Sequence, residues 1–429
     1  MSQIVIIVPS ISGYMNDSKT IGSTIMRKIL LMSMSVLLVA IFVVPVSVSA
    51  QDDVTVYPIG AAQPFSGPLG SFGEDFVRGI ELAVAQMNDE LANAGVPIQF
   101  ELSTADTEGT PDGALEAVQT LVQTTGAQVI VGPLSTSEVL GAKQFADDNG
   151  IVIIAPASSG VAGAIPGDNV FRVMNPPDTF AARAFSQIAV ARGYENIAIL
   201  QLDDPFGNGL TAEFTRNFEA AGGGEISVIT YVSDAPDLSP EVTALSAEVA
   251  SLSESGTTAV FCICFLADAQ KILQNALFDT VLGSVEWMGI ENLANPELLA
   301  DEAVADFLRN ANFVSVSVAD NSTPLTQKFI DDFTAMHGSE PGPFTNFAFD
   351  AANIAMLSVL VTDNDGEAMA SMVPFIANHY IGTQVQTFLD ENGDQAIAFY
   401  GLRAVAPDEA DFIEIGRYDG STDTVTLNE

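Results

Sequence analysis

The sequence predicts an α/β fold of two doubly wound parallel-sheet lobes, joined by crossover hinge segments and separated by a ligand cleft. Short apolar runs alternate with helix-like runs from residue 54 onward, which is typical of consecutive βαβ units. This alternation restarts after NVFRVMN (169–175) and therefore indicates a second sheet. The chain has 429 residues, more than one domain usually contains, so two lobes are expected.

The first lobe opens with four strand-like runs. They are VTVYPIGAA, IQFELSTAD, AQVIVGP and IVIIAPA. The stretches between them, at 73–94, 111–125 and 136–149, have helical periodicity. We assign residues 51–174 to the first part of this lobe.

The second lobe repeats the alternation over residues 175–312. Its strand-like runs are NIAILQLDD, EISVITYV, TAVFCICF and VEWMGIE, and helix-like stretches lie at 178–193, 207–221, 239–254 and 267–281. After NFVSVSVA come two further helix-like stretches near 322–336 and 346–362, and then the strand-like runs AIAFYGLRAV and FIEIGRYD. We expect residues 313–395 to complete the first lobe and residues 396–429 to complete the second.

Residues 1–50 have the pattern of a secretory signal peptide. Arg27 and Lys28 precede the apolar run ILLMSMSVLLVAIFVVPVSV, and the small residues of Val48-Ser49-Ala50 suit cleavage. Met26 is an alternative start. The apolar run approaches the roughly 20 residues that span a bilayer, so an uncleaved anchor is the alternative reading. Since no cysteine follows the signal, we expect an exported protein without a lipoprotein anchor, in the periplasm or at the outer face of the cytoplasmic membrane.

The chain is strongly acidic, with a formal net charge of -41. Removing residues 1–50 takes away three basic residues and one acid, which leaves 14 − 3 = 11 basic and 55 − 1 = 54 acidic side chains. Such a surface repels nucleic acid and anionic lipid, so neither is an expected partner. The composition also resembles that of salt-adapted proteins.

The two cysteines lie in the apolar run TTAVFCICFLA. Cys262 and Cys264 alternate on one face of a predicted strand, and residues two apart on a strand fit disulfide geometry poorly. We therefore expect buried free thiols rather than a redox pair or a metal site.

The sequence lacks a catalytic set. The two histidines, His337 and His379, lie away from the strand-end turns, and no G-x-S-x-G, H-E-x-x-H or cysteine metal spacing occurs. DENGDQ (390–395) resembles the start of a calcium loop but lacks its closing glutamate, so we interpret it as a hairpin turn. We expect no enzyme activity, no cofactor and no metal.

Ligands of doubly wound folds bind beyond the carboxyl ends of the strands, which draws attention to particular turns. The glycine-rich turn PFSGPLGSFG follows the first strand, but it does not match the dinucleotide fingerprint and contains no basic residue. It provides Phe72, either as an aromatic wall of the cleft or as packing between helix and sheet.

Two further turns carry hydroxyl side chains where helices are predicted to begin. GPLSTSE provides Ser135 and Thr136, and APASSG provides Ser158 and Ser159. With the unpaired N–H groups of a helix start, these hydroxyls form a neutral site for a carboxylate. Helix capping is the alternative for each hydroxyl, but two such turns on adjacent strands favour a site.

The opposite lobe offers an acid and an aromatic. Glu291 ends the run VEWMGIE, where it can pair with an ammonium group or act as an ordinary helix-start acid. Phe206 lies in the turn DDPFGNG and is positioned to cover a ligand from the second lobe.

In this order, the turns resemble those of the branched-chain amino-acid-binding proteins of ABC importers, which have the type I periplasmic binding protein fold. The matching segments are SGPLGSFGEDFVRGIELAV, VGPLSTSE, IIAPASSG, NVFRV, DDPFGNGL and WMGIENLANPEL. The resemblance covers nearly the whole chain after residue 50. Each motif is loose by itself, and the ordered set is the specific signal.

The resemblance implies roles for the polar residues. Thr136 and Ser159 correspond to positions that bind the α-carboxylate of the ligand, together with backbone amides around Ala157 and Ser158. Glu291 corresponds to the position that binds the α-ammonium group.

The resemblance also implies an apolar wall. Phe72 and Phe206 fall where the family often has aromatic residues, and Cys264-Phe265 matches a further segment of the pocket wall. Because the family commonly has tyrosines there, Phe206, Cys264 and Phe265 indicate a less polar pocket in this chain.

The function that the resemblance implies is that of a monomeric solute receptor. It would close on a small amino acid, branched-chain or otherwise neutral, and deliver it to the permease subunits of an ABC transporter. The alternative is a sensory protein of the same fold that signals rather than transports. A secreted hydrolase is disfavoured by the missing nucleophile and base.

Overall fold

The computed structural model of the chain describes residues 54–318, 324–383 and 387–428. The predicted signal peptide lies outside the described residues. The strands of the first sheet are β1 (Thr55–Gln63), β2 (Ile98–Asp106), β3 (Val129–Val131), β4 (Val152–Ile154) and β5 (Val170–Phe171). All of its pairs are parallel, and the order is β2-β1-β3-β4-β5.

The second sheet has the order β13-β12-β11-β10-β9-β8-β6-β7. Its strands are β6 (Asn196–Leu202), β7 (Ile226–Tyr231), β8 (Thr258–Ile263), β9 (Glu286–Gly289), β10 (Val314–Val318), β11 (Phe399–Val405), β12 (Phe412–Asp419) and β13 (Thr424–Leu427). Strands β6 to β10 pair in parallel, whereas β11, β12 and β13 are antiparallel to their neighbours. The α/β fold is confirmed, but the second sheet is mixed rather than wholly parallel. Short turns join β11 to β12 and β12 to β13, and such turns connect only antiparallel neighbours.

The helices lie between the strands and after β10. They are α1 (Gly70–Asn93), α2 (Pro111–Thr125), α3 (Thr136–Asn149), α4 (Asp178–Ala191), α5 (Pro205–Ala220), α6 (Ser239–Leu252), α7 (Leu266–Ala276), α8 (Glu302–Asn310), α9 (Pro324–His337), α10 (Thr345–Thr362) and α11 (Gly366–Ala377). Helix α10 is long and apolar enough to cross a membrane by length and composition, but 67% of it is buried in the protein. It packs against α1 and β3 as a core helix of the first lobe.

The sequence predicts that residues 313–395 complete the first lobe, but the chain returns from the second lobe to the first only after residue 318. Strand β10 is paired between β9 and β11, so residues 314–318 complete the second sheet. Helices α9, α10 and α11 then pack on the first lobe. The remaining domain boundaries stay a prediction.

Strand order reverses between β1 and β3 in the first sheet, and between β6 and β8 in the second. In doubly wound sheets, the carboxyl ends of the strands at such a reversal flank the ligand site. The turns after β1, β3, β6 and β8 are therefore the ones that the topology brings to the cleft.

The glycine-rich turn after β1 serves close packing. Helix α1 begins at Gly70, one turn before the predicted start at residue 73. A Cβ atom at Gly73 would lie only 1.7 Å from the Pro64 carbonyl oxygen, so only glycine lets α1 approach the end of β1 this closely. This packing fixes Phe72, which is 7% exposed.

The prediction of two free thiols is wrong, because Cys262 and Cys264 form a disulfide. Strand β8 ends at Ile263, so the chain bends between the two cysteines instead of running on as an extended strand. The bend brings their Cα atoms to 5.4 Å, within the usual range for disulfides. Both side chains are buried, as the sequence predicted.

Raising the KCl concentration from about 0.1 M to about 2 M should raise the melting temperature. The Debye length falls from about 10 Å at 0.1 M to about 3 Å at 1 M, which weakens repulsion among the carboxylates. Exposed ion pairs are screened as well, but each contributes only about 0–1 kcal/mol, and acids outnumber basic residues about fivefold after residue 50. Calorimetry across this range tests the expectation, and a melting temperature that falls with KCl would contradict it.

Candidate ligand-binding site

A cavity lies at the carboxyl ends of the strands, where turns of both sheets meet. Its volume is about 90 Å³, several times the roughly 10–15 Å³ that one water molecule needs. The turns after β1, β3 and β4 line it from the first sheet, and those after β6, β8 and β9 line it from the second. The cavity therefore lies where the reversal of strand order predicts a ligand.

The sequence selected ten candidate residues, and nine of them line this one cavity. These are Phe72, Ser135, Thr136, Ala157, Ser158, Ser159, Phe206, Phe265 and Glu291. The tenth, Cys264, is not among the lining residues; its side chain is fully buried and its sulfur lies 3.7 Å from the Leu200 carbonyl oxygen. Their roles in binding stay a prediction.

The hydroxyl-lined side of the cavity is built around the start of α3. Ser135 is the N-cap: its hydroxyl accepts from the Glu138 N–H, and the Glu138 carboxylate accepts from the Ser135 N–H at 2.8 Å. For Ser135 the capping alternative therefore holds.

Thr136 is not the cap. Its hydroxyl accepts from the Gly160 N–H at 2.8 Å and lies 3.1 Å from the Ser158 hydroxyl, which ties the α3 start to the turn after β4. The side chains of Thr136, Ser158 and Ser159 are all at least 90% buried. Together with the free N–H groups of the first α3 turn, they offer neutral donors to an anionic group.

Glu291 lies on the opposite wall, at the start of a 3-10 turn (Glu291–Leu293) that follows β9. Burial, together with the nearby negative charge of Asp178, raises the pKa of this carboxyl to about 8. The polar side chains of Tyr400 and Asn175 act in the opposite direction. An acid with this pKa is held in surroundings that favour either its neutral form or a cationic partner.

The sequence analysis missed a second acid, Asp178. It is the first residue of α4, is 3% exposed and lines the same cavity. Burial, which outweighs the opposing effects of the Ser159 hydroxyl and the Arg172 charge, raises its pKa to about 7, and the negative charge of Asp204 acts in the same direction as burial. Its Oδ2 atom is buried and has no hydrogen-bond partner among the residues that the structure describes. The only sequence signal was an acid at a helix start, which is common outside binding sites.

Among the described residues, Asp178 and Glu291 are the only charged ones that line the cavity, and none of these lining residues is basic. Within the described part of the chain, neither carboxylate takes part in an ion pair. The same residues contain no cluster of three or more histidine, cysteine, aspartate or glutamate side chains suited to a metal ion. The two acids thus offer a place for an organic cation of the ligand.

The rest of the wall is apolar and rich in phenylalanine. Six phenylalanines line the cavity, namely Phe72, Phe76, Phe185, Phe206, Phe265 and Phe344. Phe206 and Phe265 stack with ring centroids 5.6 Å apart, and Phe72 lies 6.5 Å from Phe344. Phe72 therefore both packs and lines the cavity. This part of the site suits an apolar group.

Comparison with known sequences gives one family match. The profile of the family described as periplasmic binding protein matches residues 56–371. An uncharacterised protein of Methanocaldococcus jannaschii is 25% identical over 372 residues, which cover 82% of this chain and 88% of that protein.

Comparison with solved structures supports the fold. A leucine binding protein, LivK, from Thermotoga maritima has a TM-score of 0.73 at 18% identity, covering 85% of this chain and 99% of that one. A solute binding protein of an ABC transporter from R. palustris, in complex with benzoate, has a TM-score of 0.70 at 20% identity, covering 87% and 98%. At these identities the likeness is one of fold, and it is the fold expected from the sequence.

Proposed function

Since this chain belongs to the periplasmic binding protein family, we propose that it is an extracytoplasmic receptor for an amino acid with an apolar side chain. The observation that carries the proposal is the pair of carboxylates of Asp178, which is buried, and Glu291, which is half-buried. Both face a cavity that has no basic residue among its described lining residues. An ammonium group placed there neutralises two acids that are otherwise costly to ionise.

The proposed pose follows from the polarity of the walls. The α-carboxylate binds to Thr136, Ser159 and the free N–H groups at the start of α3, where the helix dipole favours an anion. The α-ammonium group binds to Asp178 and Glu291. Asp178 adjoins the carboxylate wall, because its N–H donates to the Ser159 carbonyl oxygen at 2.8 Å. The two charged groups of an amino acid thus meet opposite polarities on neighbouring atoms of the site.

The side chain of the ligand points toward the phenylalanine wall. A branched aliphatic or aromatic side chain gains about 25 cal/mol for each Å² of apolar surface that it buries there. A side chain that carries a charge would meet only Asp178 and Glu291 as charged partners. We therefore expect leucine, isoleucine, valine or phenylalanine to bind more tightly than aspartate, glutamate, lysine or arginine.

A second candidate is an aromatic carboxylate without an amino group. The six lining phenylalanines favour it, and the R. palustris protein is described in complex with benzoate. This ligand would leave Asp178 and Glu291 without a cationic partner, so both acids would have to bind it in their protonated forms.

A thermal-shift screen of the natural amino acids, benzoate and 4-hydroxybenzoate distinguishes the two candidates. A ligand at about 100 times its dissociation constant stabilises the folded protein by about 2.7 kcal/mol. We expect the neutral apolar amino acids to raise the melting temperature most. A rise with the benzoates alone would replace the amino-acid proposal by the aromatic-carboxylate one.

Replacing either hydroxyl of the carboxylate wall should weaken binding of the amino acid. For Thr136→Ala and Ser159→Ala we expect a loss of about 1.5–3 kcal/mol each, the usual contribution of a hydrogen bond to a charged group. Ser135→Ala is the matched control, because this hydroxyl caps α3 and should affect the melting temperature more than the affinity. Calorimetry that finds unchanged affinity in both test variants would assign these hydroxyls to packing alone.

We further propose that the receptor is exported, monomeric and coupled to ABC permease subunits. The signal-like residues 1–50 support export, so the protein recovered from cells should begin near Gln51. Recovery of a membrane-held protein that still begins at Met1 or Met26 would favour the uncleaved anchor. The sensory role remains the competing proposal: neighbouring permease and ATPase genes would support transport, and a neighbouring kinase or chemoreceptor gene would support sensing.

A further inference from the structure

A buried ion pair lies beside the ligand site, at the first-lobe end of two segments that cross between the sheets. Arg172 follows β5, and Asp394 lies in the hairpin turn at 390–395; both side chains are 1% exposed. Arg172 Nε donates to one Asp394 carboxylate oxygen at 2.6 Å, and a second guanidinium nitrogen donates to the other oxygen. This is the bidentate geometry that makes arginine–carboxylate pairs directional.

The backbones of the same two residues are also joined. The Arg172 N–H donates to the Gly393 carbonyl oxygen at 2.9 Å, and the Gln395 N–H donates to the Arg172 carbonyl oxygen at 3.0 Å. The antiparallel bridge between Leu389 and Gln395 confirms that DENGDQ forms a hairpin turn. From here the chain enters the second lobe along both crossing segments, residues 173–177 toward α4 and residues 396–398 toward β11.

The third guanidinium nitrogen of Arg172 contacts the ligand loop, which we define as residues 157–163. Arg172 Nη1 donates to the Gly160 carbonyl oxygen at 2.6 Å, and the Gly160 N–H donates to the Thr136 hydroxyl at 2.8 Å. A Cβ atom at Gly163 would lie 2.9 Å from the same guanidinium nitrogen, so the loop folds closely over Arg172. One side chain therefore contacts both the hairpin turn that leads into the crossing segment 396–398 and the loop that carries Ser158 and Ser159.

We infer that Arg172 is a positioning residue, which couples the crossing segments to the ligand loop through its pair with Asp394 and its bond to Gly160. The inference rests on the proposed function, because its consequence is read as ligand affinity. Hinge closure in two-lobed receptors changes the backbone of crossing segments, and a rigid contact between hinge and ligand loop transmits that change to the site. Arg172 itself is not among the residues that line the cavity.

Arg172 also acts on the site electrostatically. The charged groups that face Asp178 are Arg172, which favours its ionised form, and Asp204 and Glu291, which oppose it. Loss of Arg172 should therefore move the titration of the ligand site to higher pH, which a purely structural ion pair would not do.

The test uses the double variant Arg172→Met/Asp394→Leu in the full chain. Replacing a buried ion pair by apolar residues of similar size is often neutral for stability, whereas removing one partner leaves the other as a buried charge without a counter-charge. We expect a melting temperature close to that of wild type, roughly tenfold to hundredfold weaker binding of the best amino acid from the screen, and an upward shift in the pH midpoint of affinity. A double variant that binds like wild type, with the same midpoint, would overturn the inference.

Hydrogen–deuterium exchange of the unliganded protein provides a readout that needs no ligand. Peptides covering residues 157–163 should exchange faster in the double variant than in wild type, while peptides covering β6 and β8 should be unchanged. Equal exchange of the ligand loop in both proteins would overturn the inference. If wild type binds no amino acid in the screen, the proposed function fails, yet this measurement still decides whether Arg172 holds the loop.

Arg172→Lys is the second test variant, to be used if the double variant does not fold. Lysine keeps the positive charge beside Asp178 but lacks the planar fork, so it cannot hold Asp394 and Gly160 at the same time. We expect faster exchange of the ligand loop and weaker binding, with the pH midpoint of affinity unchanged. Wild-type exchange and affinity in this variant would contradict a positioning role.

Discussion

Glu291→Gln should weaken binding of the amino acid by about 2–5 kcal/mol, a loss of affinity from about 30-fold to several thousand-fold. Glutamine keeps the shape of the side chain but leaves the ammonium group of the ligand without one of its two anionic partners. Most of this loss is the cost of a buried charge that has lost its partner. The fold should survive, because Glu291 lies in a turn and faces the cavity.

Isothermal titration calorimetry measures this loss of affinity directly. Two further variants show whether the loss is specific to the acids of the cavity. Glu297→Gln is the matched control, since Glu297 lies in the next turn and is exposed, so its affinity should equal that of wild type. Asp178→Asn removes the other acid and should cost a similar amount. If Glu291→Gln and Asp178→Asn both bind as tightly as wild type, the ammonium group does not lie between these residues.

Affinity for the amino acid should fall by up to tenfold for each pH unit, for each proton involved, as the pH is lowered from about 8.5 to about 6. Burial places the pKa of Glu291 near 8 and that of Asp178 near 7 in the empty site. The ammonium group favours the ionised acids, so bound ligand lowers both pKa values. At a pH below the pKa values of the empty site, the two acids are protonated and must release these protons when the ligand binds. The affinity therefore decreases as the pH is lowered.

The sign of this dependence distinguishes the candidate ligands. An aromatic carboxylate binds to the protonated acids, so its affinity should rise as the pH falls over the same range. In Glu291→Gln the slope for the amino acid should decrease, because one of the two titrating groups is gone. Calorimetry in buffers of different ionisation enthalpy counts the protons released. An amino-acid affinity that is constant from pH 6 to pH 8.5 would contradict the paired-acid site.

Much of the site could be predicted because strand ends and helix starts leave local signals. The helix-like stretch at 136–149 matches α3 over its full length. In the structure a capping box of Ser135 and Glu138 begins this helix and Gly150 in the left-handed region ends it, and both are local features of the sequence. The carboxyl-end rule for parallel sheets then selected the turns after β3, β4, β6 and β9 without any knowledge of their contacts.

The features that the sequence analysis missed depend on contacts between distant segments. Asp178 looks like any acid at a helix start, and only the approach of Glu291, more than 100 residues later in the chain, shows that it belongs to the site. The Cys262–Cys264 disulfide was missed because the apolar run continues beyond Ile263, which hides the end of β8. The pairing of β10 with β11 joins residues about 90 positions apart, and no local pattern records it.

The central claim is that the cavity recognises an α-ammonium group. Its most direct test compares an amino acid with its des-amino analogue, the corresponding carboxylic acid, by calorimetry at pH 8. Wild type should bind the amino acid far more tightly than the analogue, and Glu291→Gln should lose most of that preference. Equal affinity of wild type for both compounds, or undiminished preference in Glu291→Gln, would contradict the ammonium site and the amino-acid assignment with it.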